Sequence, residues 1–215
     1  SKDITIKFLL WEKNILLSIL VTCIVSNLHS QKKFSNRKID NLKNQVQRLV
    51  EEDKKMTQVM IDKVFSFGEL GFQEFETSKY MGAILEENGF DVEYQVSNIP
   101  TSWLATWSNG EGGPVIALGS DFDGVPSTSQ YPGVAFEKPV VEGAPGHGEG
   151  HNIGLPIVVT SALSLKKIMI ENNIPGTLLI WPGVAEEILG SKAWYVRDGY
   201  FDDVDICIFT HVSTN

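Results

Sequence analysis

Three short apolar runs, at 115–118, 177–181 and 205–210, alternate with helical periods, and this alternation narrows the fold most. Runs without polar alternation suit strands that are covered on both faces. Between the first two, residues 155–170 predict a helix, with Pro156 near its first turn, where proline is tolerated. Upstream, Leu42, Val46, Leu49 and Val50, then Met56, Val59, Met60 and Val64, recur at three- and four-residue steps. They predict one helix over 39–67, broken by the glycines of Phe67-Gly68-Glu69-Leu70-Gly71-Phe72. A second helix is expected over 74–88, with Tyr80, Met81, Ile84 and Leu85 on one face and Gly89 at its end. Strands are expected at 91–96 and 102–107, followed by the turn Ser108-Asn109-Gly110-Glu111-Gly112-Gly113, and a short helix at 191–197. The fold class is therefore α/β, a three-layer sandwich with a largely parallel central sheet.

The 215 residues hold one sizeable domain, and 42% hydrophobic with 21% charged residues suits a soluble globular one. A net charge of −9 argues against nucleic acid as a partner, because phosphate binding needs a basic face. Cys23 and Cys207 make no disulfide framework, and Cys207, in an apolar strand, is expected to be a small buried hydrophobe. Residues 1–30 form a separate segment. Lys13 precedes the apolar run from Ile15 to Val25, and Ser26-Asn27-Leu28-His29-Ser30 follows. That is the pattern of a signal peptide cut near Ser30, or of an uncleaved N-terminal anchor, so export to the periplasm or beyond is expected. The first residue is Ser1, and the last strand-like run stops just before Asn215. The expectation is a fragment, with residues 31–215 forming one catalytic-domain piece.

Candidate chemistry lies where the strands end, the place ligands occupy in open α/β sheets. Asp121 and Asp123 follow the first run, Glu186 and Glu187 the second, and His211 the third. Each has an ordinary structural reading: turn aspartates, a solvated helix start, a hydrogen-bonded histidine. The segment Gly146-His147-Gly148-Glu149-Gly150-His151-Asn152 resists such a reading, since glycine beside every polar group costs backbone entropy. It offers imidazole and carboxylate donors from a bendable loop just ahead of a helix start, a donor set that borderline divalent metals accept. Spacing does not separate His147 from His151. Both stand two residues from Glu149, on the same side of an extended segment.

Over about 65–211 the chain resembles the M20 family of metallopeptidases and amidohydrolases, nearest the aminobenzoyl-glutamate hydrolase B-type branch. The resemblance is carried by Glu69-Leu70-Gly71-Phe72-Gln73-Glu74, Ile99-Pro100-Thr101, Ala105-Thr106-Trp107 and Ser120-Asp121-Phe122-Asp123-Gly124-Val125-Pro126. Gly146 to Asn152, Ala185-Glu186-Glu187 and the run from Val196 to Asp205 complete it. It implies a partial di-metal exopeptidase-like catalytic domain. The implied reaction cleaves amide bonds of N-acyl amino acids, aminobenzoyl-glutamate-like compounds or small peptides with two divalent ions, zinc or manganese. Carried over residue by residue, Glu186 matches the general base. Glu149, His151, Glu187 and His211 match metal ligands, and Asp121, Asp123 and His147 stand in support.

One departure is specific. This branch usually carries cysteine where Glu149 stands, and a harder oxygen donor there shifts preference towards manganese or a looser zinc site. The family's distal histidine ligand and its lid or dimerisation domain, which implies a homodimer, find no counterpart in these residues. A catalytically silent metal-binding or partner subunit of the same fold is the alternative. The intact Glu186-Glu187 pair favours the enzyme, while the piece alone is expected to be inactive.

Overall fold

A computed structural model describes residues 35–213. Contacts divide the chain into two compact units, residues 1–42 and 43–215. The expected signal or anchor at 1–30 lies outside the described residues. The first described element is helix α1 (Asn36–Glu52). Helix α2 (Lys54–Phe67) follows after a single non-helical residue, Asp53. The single helix expected over 39–67 is thus two, although hydrogen bonds into and out of Asp53, to Leu49 O and from Thr57 N, continue the ladder. Gly68 ends α2 in a left-handed conformation.

Helix α3 (Phe75–Glu87) starts under Glu69, whose carboxylate accepts the Glu76 and Thr77 amides at 2.9 Å each. That satisfies donors a helix start leaves free. Strands β1 (Asp91–Tyr94), β2 (Trp103–Asn109), β3 (Val115–Asp121), β4 (Gly176–Gly183) and β5 (Ile206–Thr210) form one sheet in the order β1-β2-β4-β3-β5. β3 pairs in parallel with β4 and β5, while β2 runs antiparallel to β1 and β4. Four of the five strands therefore point one way, and the reversed β2 makes the sheet mixed. β3 runs three residues beyond its apolar core, so that Asp121 is itself the last strand residue.

Helices cover both faces. Helix α4 (His151–Glu171) packs on the Ser120 face through Leu155, Val158, Val159 and Ala162, all buried. At Gly154 a Cβ would sit 1.9 Å from Ser120 Oγ, so only glycine lets helix and strand approach this closely. Thr160 Oγ1 meets Thr57 Oγ1 at 2.7 Å and ties α4 to α2. On the opposite face Trp181 stacks edge-on with Tyr195 of helix α5 (Lys192–Arg197) and with Phe201, and packs against Phe209. Each large side chain buried this way contributes roughly 1.5–3 kcal/mol. By length and mean hydropathy α4 could cross a membrane, but more than half of its apolar window is buried in this core.

Two further expectations change. α4 begins at His151, four residues before the expected start, which moves Pro156 from the first turn into the second. Cys207 is exposed, not buried. The reason is position: among the described residues β5 pairs only with β3, at the sheet edge, and Ile206 and Ile208 are exposed beside it.

Candidate metal centre

The parallel strands deliver their ends to one rim. Asp121 closes β3, the segment after β4 reaches Glu186 within three residues, and His211 follows β5 directly. The start of α4 brings His151 to the same place. A left-handed Gly150 (φ 98°) caps the helix and turns the chain so that Glu149 folds back, and its Oε1 accepts the His151 amide at 3.1 Å. Glu149 and His151 therefore meet through a tight turn at a helix start and not through strand-like alternation. A helix start favours a carboxylate, since its free amides carry partial positive charge.

Both histidines are oriented by backbone carbonyls. His151 Nδ1 lies 3.0 Å from Asp123 O, with Asp123 Oδ1 at 3.3 Å and Glu149 Oε1 at 3.4 Å. His211 Nδ1 contacts Val212 O. Nδ1–H donation on both rings leaves the Nε2 lone pairs free, and these point at each other across 3.0 Å. Two lone pairs facing each other repel unless a proton or a metal ion lies between them. Glu186 Oε2 is 4.0 Å from His151 Nε2, and Asp121 Oδ2 is 4.0 Å from His211 Nε2.

His147 is buried, with Nε2 3.2 Å from Val64 O at the end of α2 and Nδ1 3.4 Å from Glu149 Oε1. It steadies Glu149 from behind. Burial opposes ionisation of Glu149. The contact with His147, the backbone amides and His151 outweigh it and hold this carboxyl below its ordinary range. Only Oε1 takes part in these contacts. Oε2 is buried with no hydrogen-bond partner, an acceptor in want of a cation.

Asp121 and Asp123 are fully buried. Burial pushes Asp121 up to about 6, even though the Lys192 ammonium lies 2.9 Å from Oδ1 and 3.0 Å from Oδ2. Asp123 Oδ2 accepts the Glu187 amide at 3.0 Å. One donor atom each from Asp121, His151, Glu186 and His211 falls within 4.8 Å of the others, and so does a second group of Glu149, His151 and Glu187. Mixed imidazole and carboxylate donors, with a buried carboxylate oxygen lacking a partner, fit a divalent metal ion. The structure thus brings seven of the eight sequence-derived residues to the rim itself or its immediate wall, with His147 behind Glu149.

Two residues escaped the sequence reading. Lys192 is 71 positions from Asp121, and nothing local announces the pair. Glu74 lies in a stretch that carries the family resemblance, yet it sits 111 positions from Ala185, whose amide it accepts.

No family model matches the chain. A component of the p-aminobenzoyl-glutamate hydrolase of Escherichia coli (strain K12) is 33% identical over 162 residues, 75% of this chain and 33% of that protein. The fold is shared with a dinuclear metal-binding peptidase of the M20 family from Bacillus subtilis, at TM-score 0.57 and 23% identity over 75% of this chain and 44% of that one. It is also shared with an aminobenzoyl-glutamate utilization protein from Klebsiella pneumoniae, at TM-score 0.58 and 15% identity over 79% and 46%. The chain spans about a third of the length of the curated relatives it matches. In sequence the chain is similar to that hydrolase component, and in fold it matches peptidases of the M20 family.

Proposed function

We propose that the protein is a metal-dependent amidohydrolase acting on N-acyl amino acids, aminobenzoyl-glutamate-like compounds or small peptides. The observation that carries this reading is the convergence of the His151 and His211 Nε2 atoms at 3.0 Å, ringed by carboxylates. Relatives support the substrate class: hippurate hydrolase of Campylobacter jejuni is 30% identical over 139 residues, and an N-acetyl-L-cysteine deacetylase of Bacillus subtilis 25% over 147.

Glu149, His151, Glu187 and His211 would hold two divalent ions, zinc or manganese, with Asp121 within reach as a further oxygen. When bound, such ions lower the pKa of a coordinated water from 15.7 towards about 7 and polarise the amide carbonyl. The remaining work falls to the chain's own groups. Glu186 is partly open to solvent and is placed to take a proton from the water as its oxygen joins the carbonyl carbon. As the C–N bond breaks, Glu186 returns that proton to the leaving nitrogen, giving a carboxylic acid and an amine. Asp123 fixes the His151 ring and the Glu187 backbone at once.

The test is a full-length preparation assayed with N-acyl amino acids and dipeptides, before and after chelation. Activity should vanish on chelation and return with manganese or zinc; turnover by the fully chelated protein sinks the reading. Export rests on the apolar run from Ile15 to Val25 alone, and fractionation of producing cells tests it.

A further inference from the structure

Glu186 sits on a backbone that resists its own conformation. Ala185 has φ 55° and Leu189 φ 59°, left-handed values at non-glycine residues that flank the short 3-10 turn Glu186–Ile188. Such values persist only where the surroundings impose them. Here two acidic side chains hold the amides on either side of Glu186 in the sequence. Glu74 Oε1 accepts the Ala185 amide at 2.9 Å, and Asp123 Oδ2 accepts the Glu187 amide at 3.0 Å. The residue between the two amides is Glu186.

Glu74 is itself immobilised. It is fully buried, and its second oxygen accepts the hydroxyl of Thr101, also fully buried, at 2.7 Å. It stands immediately before α3, whose start Glu69 holds. Gly71 leaves room for the arrangement: a Cβ there would meet Ala185 Cα at 3.0 Å. A buried carboxylate is costly to keep, and nothing about α3 itself needs one at this position. Its two partners belong to the turn that carries Glu186 and to the loop after β1. We propose that Glu74 is a positioning residue that holds Glu186 in register for proton transfer, an inference that rests on the amidohydrolase reading for its catalytic part.

Amide hydrogen exchange and steady-state kinetics on the full-length protein test this together, with Glu74→Ala, Glu74→Gln and the milder Thr101→Val. Gln keeps an oxygen for the Ala185 amide and an NH2 that can donate to the Thr101 oxygen. In Glu74→Ala the amides of 185–189 should exchange at least about tenfold faster while β3 and β4 keep their protection. Glu74→Gln should stay near wild type, and Thr101→Val should fall between. In kinetics, Glu74→Ala should lower kcat by about 10–100-fold with KM changed little, since a misplacement of about 1 Å can cost that much. Recovery in Glu74→Gln is part of the expectation. Unchanged exchange at 185–189 in Glu74→Ala, or protection lost evenly through the whole sheet, overturns the proposal. A change confined to KM does so too. Exchange does not depend on turnover, so a protein without amidase activity refutes the functional reading and leaves the positioning claim to be decided by exchange.

Discussion

His151 and His211 face each other through Nε2 atoms 3.0 Å apart, while each Nδ1 is held by a backbone carbonyl. With no metal ion between them, a proton must occupy that gap. Burial alone would depress the His151 pKa, but the Asp123 contact and the charges of Glu149 and Asp121 push it up to about 9. Metal binding then has to expel this proton. At pH 7.5, zinc or manganese binding is expected to release about one proton, and affinity should climb with pH up to about 9. Calorimetry in two buffers of different ionisation enthalpy measures this, and a buffer-independent binding heat contradicts it.

The same proton gives the metal-free protein an inverted pH profile. A base whose folded pKa exceeds its unfolded value contributes full stability below about 6.5, and loses it as pH rises towards about 9. Asp121, raised by burial from 3.8 to about 6, works in the same direction lower down, since a carboxyl that prefers its proton when folded also costs stability as pH rises. Chelated protein should lose on the order of 3 kcal/mol between pH 6.5 and 9 through His151. Denaturant titrations across that range check it; a flat or rising profile rejects it. Added metal should raise the Tm most at the alkaline end.

Replacing Glu186 by Gln removes the proposed proton acceptor and keeps the side chain's shape. Turnover should drop about 10²–10⁴-fold with metal content retained. Metal analysis alongside kinetics separates the two effects. Unchanged turnover would falsify the assignment of the base, and loss of metal would make Glu186 a ligand.

Gly150→Ala tests the turn that joins Glu149 to His151. The substitution meets φ 98° and a Val212 Cγ2 only 3.0 Å from the new Cβ. It should cost about 1–2 kcal/mol of stability and weaken metal binding, because the Glu149 carboxylate loses its place against the helix start. Thermal melts and metal titration check both halves. A variant with normal stability and affinity shows that the turn is not what sets the pair.

Much of this architecture is legible in the sequence because it depends on local pattern. The apolar runs at 115–118 and 177–181 mark central strands, and the strand ends locate Asp121, Glu186 and His211. What escapes depends on contacts that no local pattern encodes. The exposure of Cys207 follows from the place of β5 at the sheet edge, which an apolar run does not state. The start of α4 at His151 depends on a left-handed Gly150, and a glycine-rich stretch looks equally like open loop. The Lys192–Asp121 pair and the Glu74–Ala185 bond span 71 and 111 positions and emerge only when the sheet is assembled.

The contacts of Glu149 make the length of its side chain matter. Its Oε1 is shared by the His151 amide, His151 Nδ1 and His147 Nδ1, and Oε2 is left over. The branch that this chain resembles carries cysteine there, and a sulfur sits two bonds closer to the backbone than a glutamate oxygen does. A cysteine at 149 would be too short to reach both the His151 amide and His147 Nδ1, whereas His151 Nδ1 would keep Asp123 O. The loop is thus fitted to the reach of the side chain at 149 as much as to its charge, and a shorter ligand there would need a different loop path.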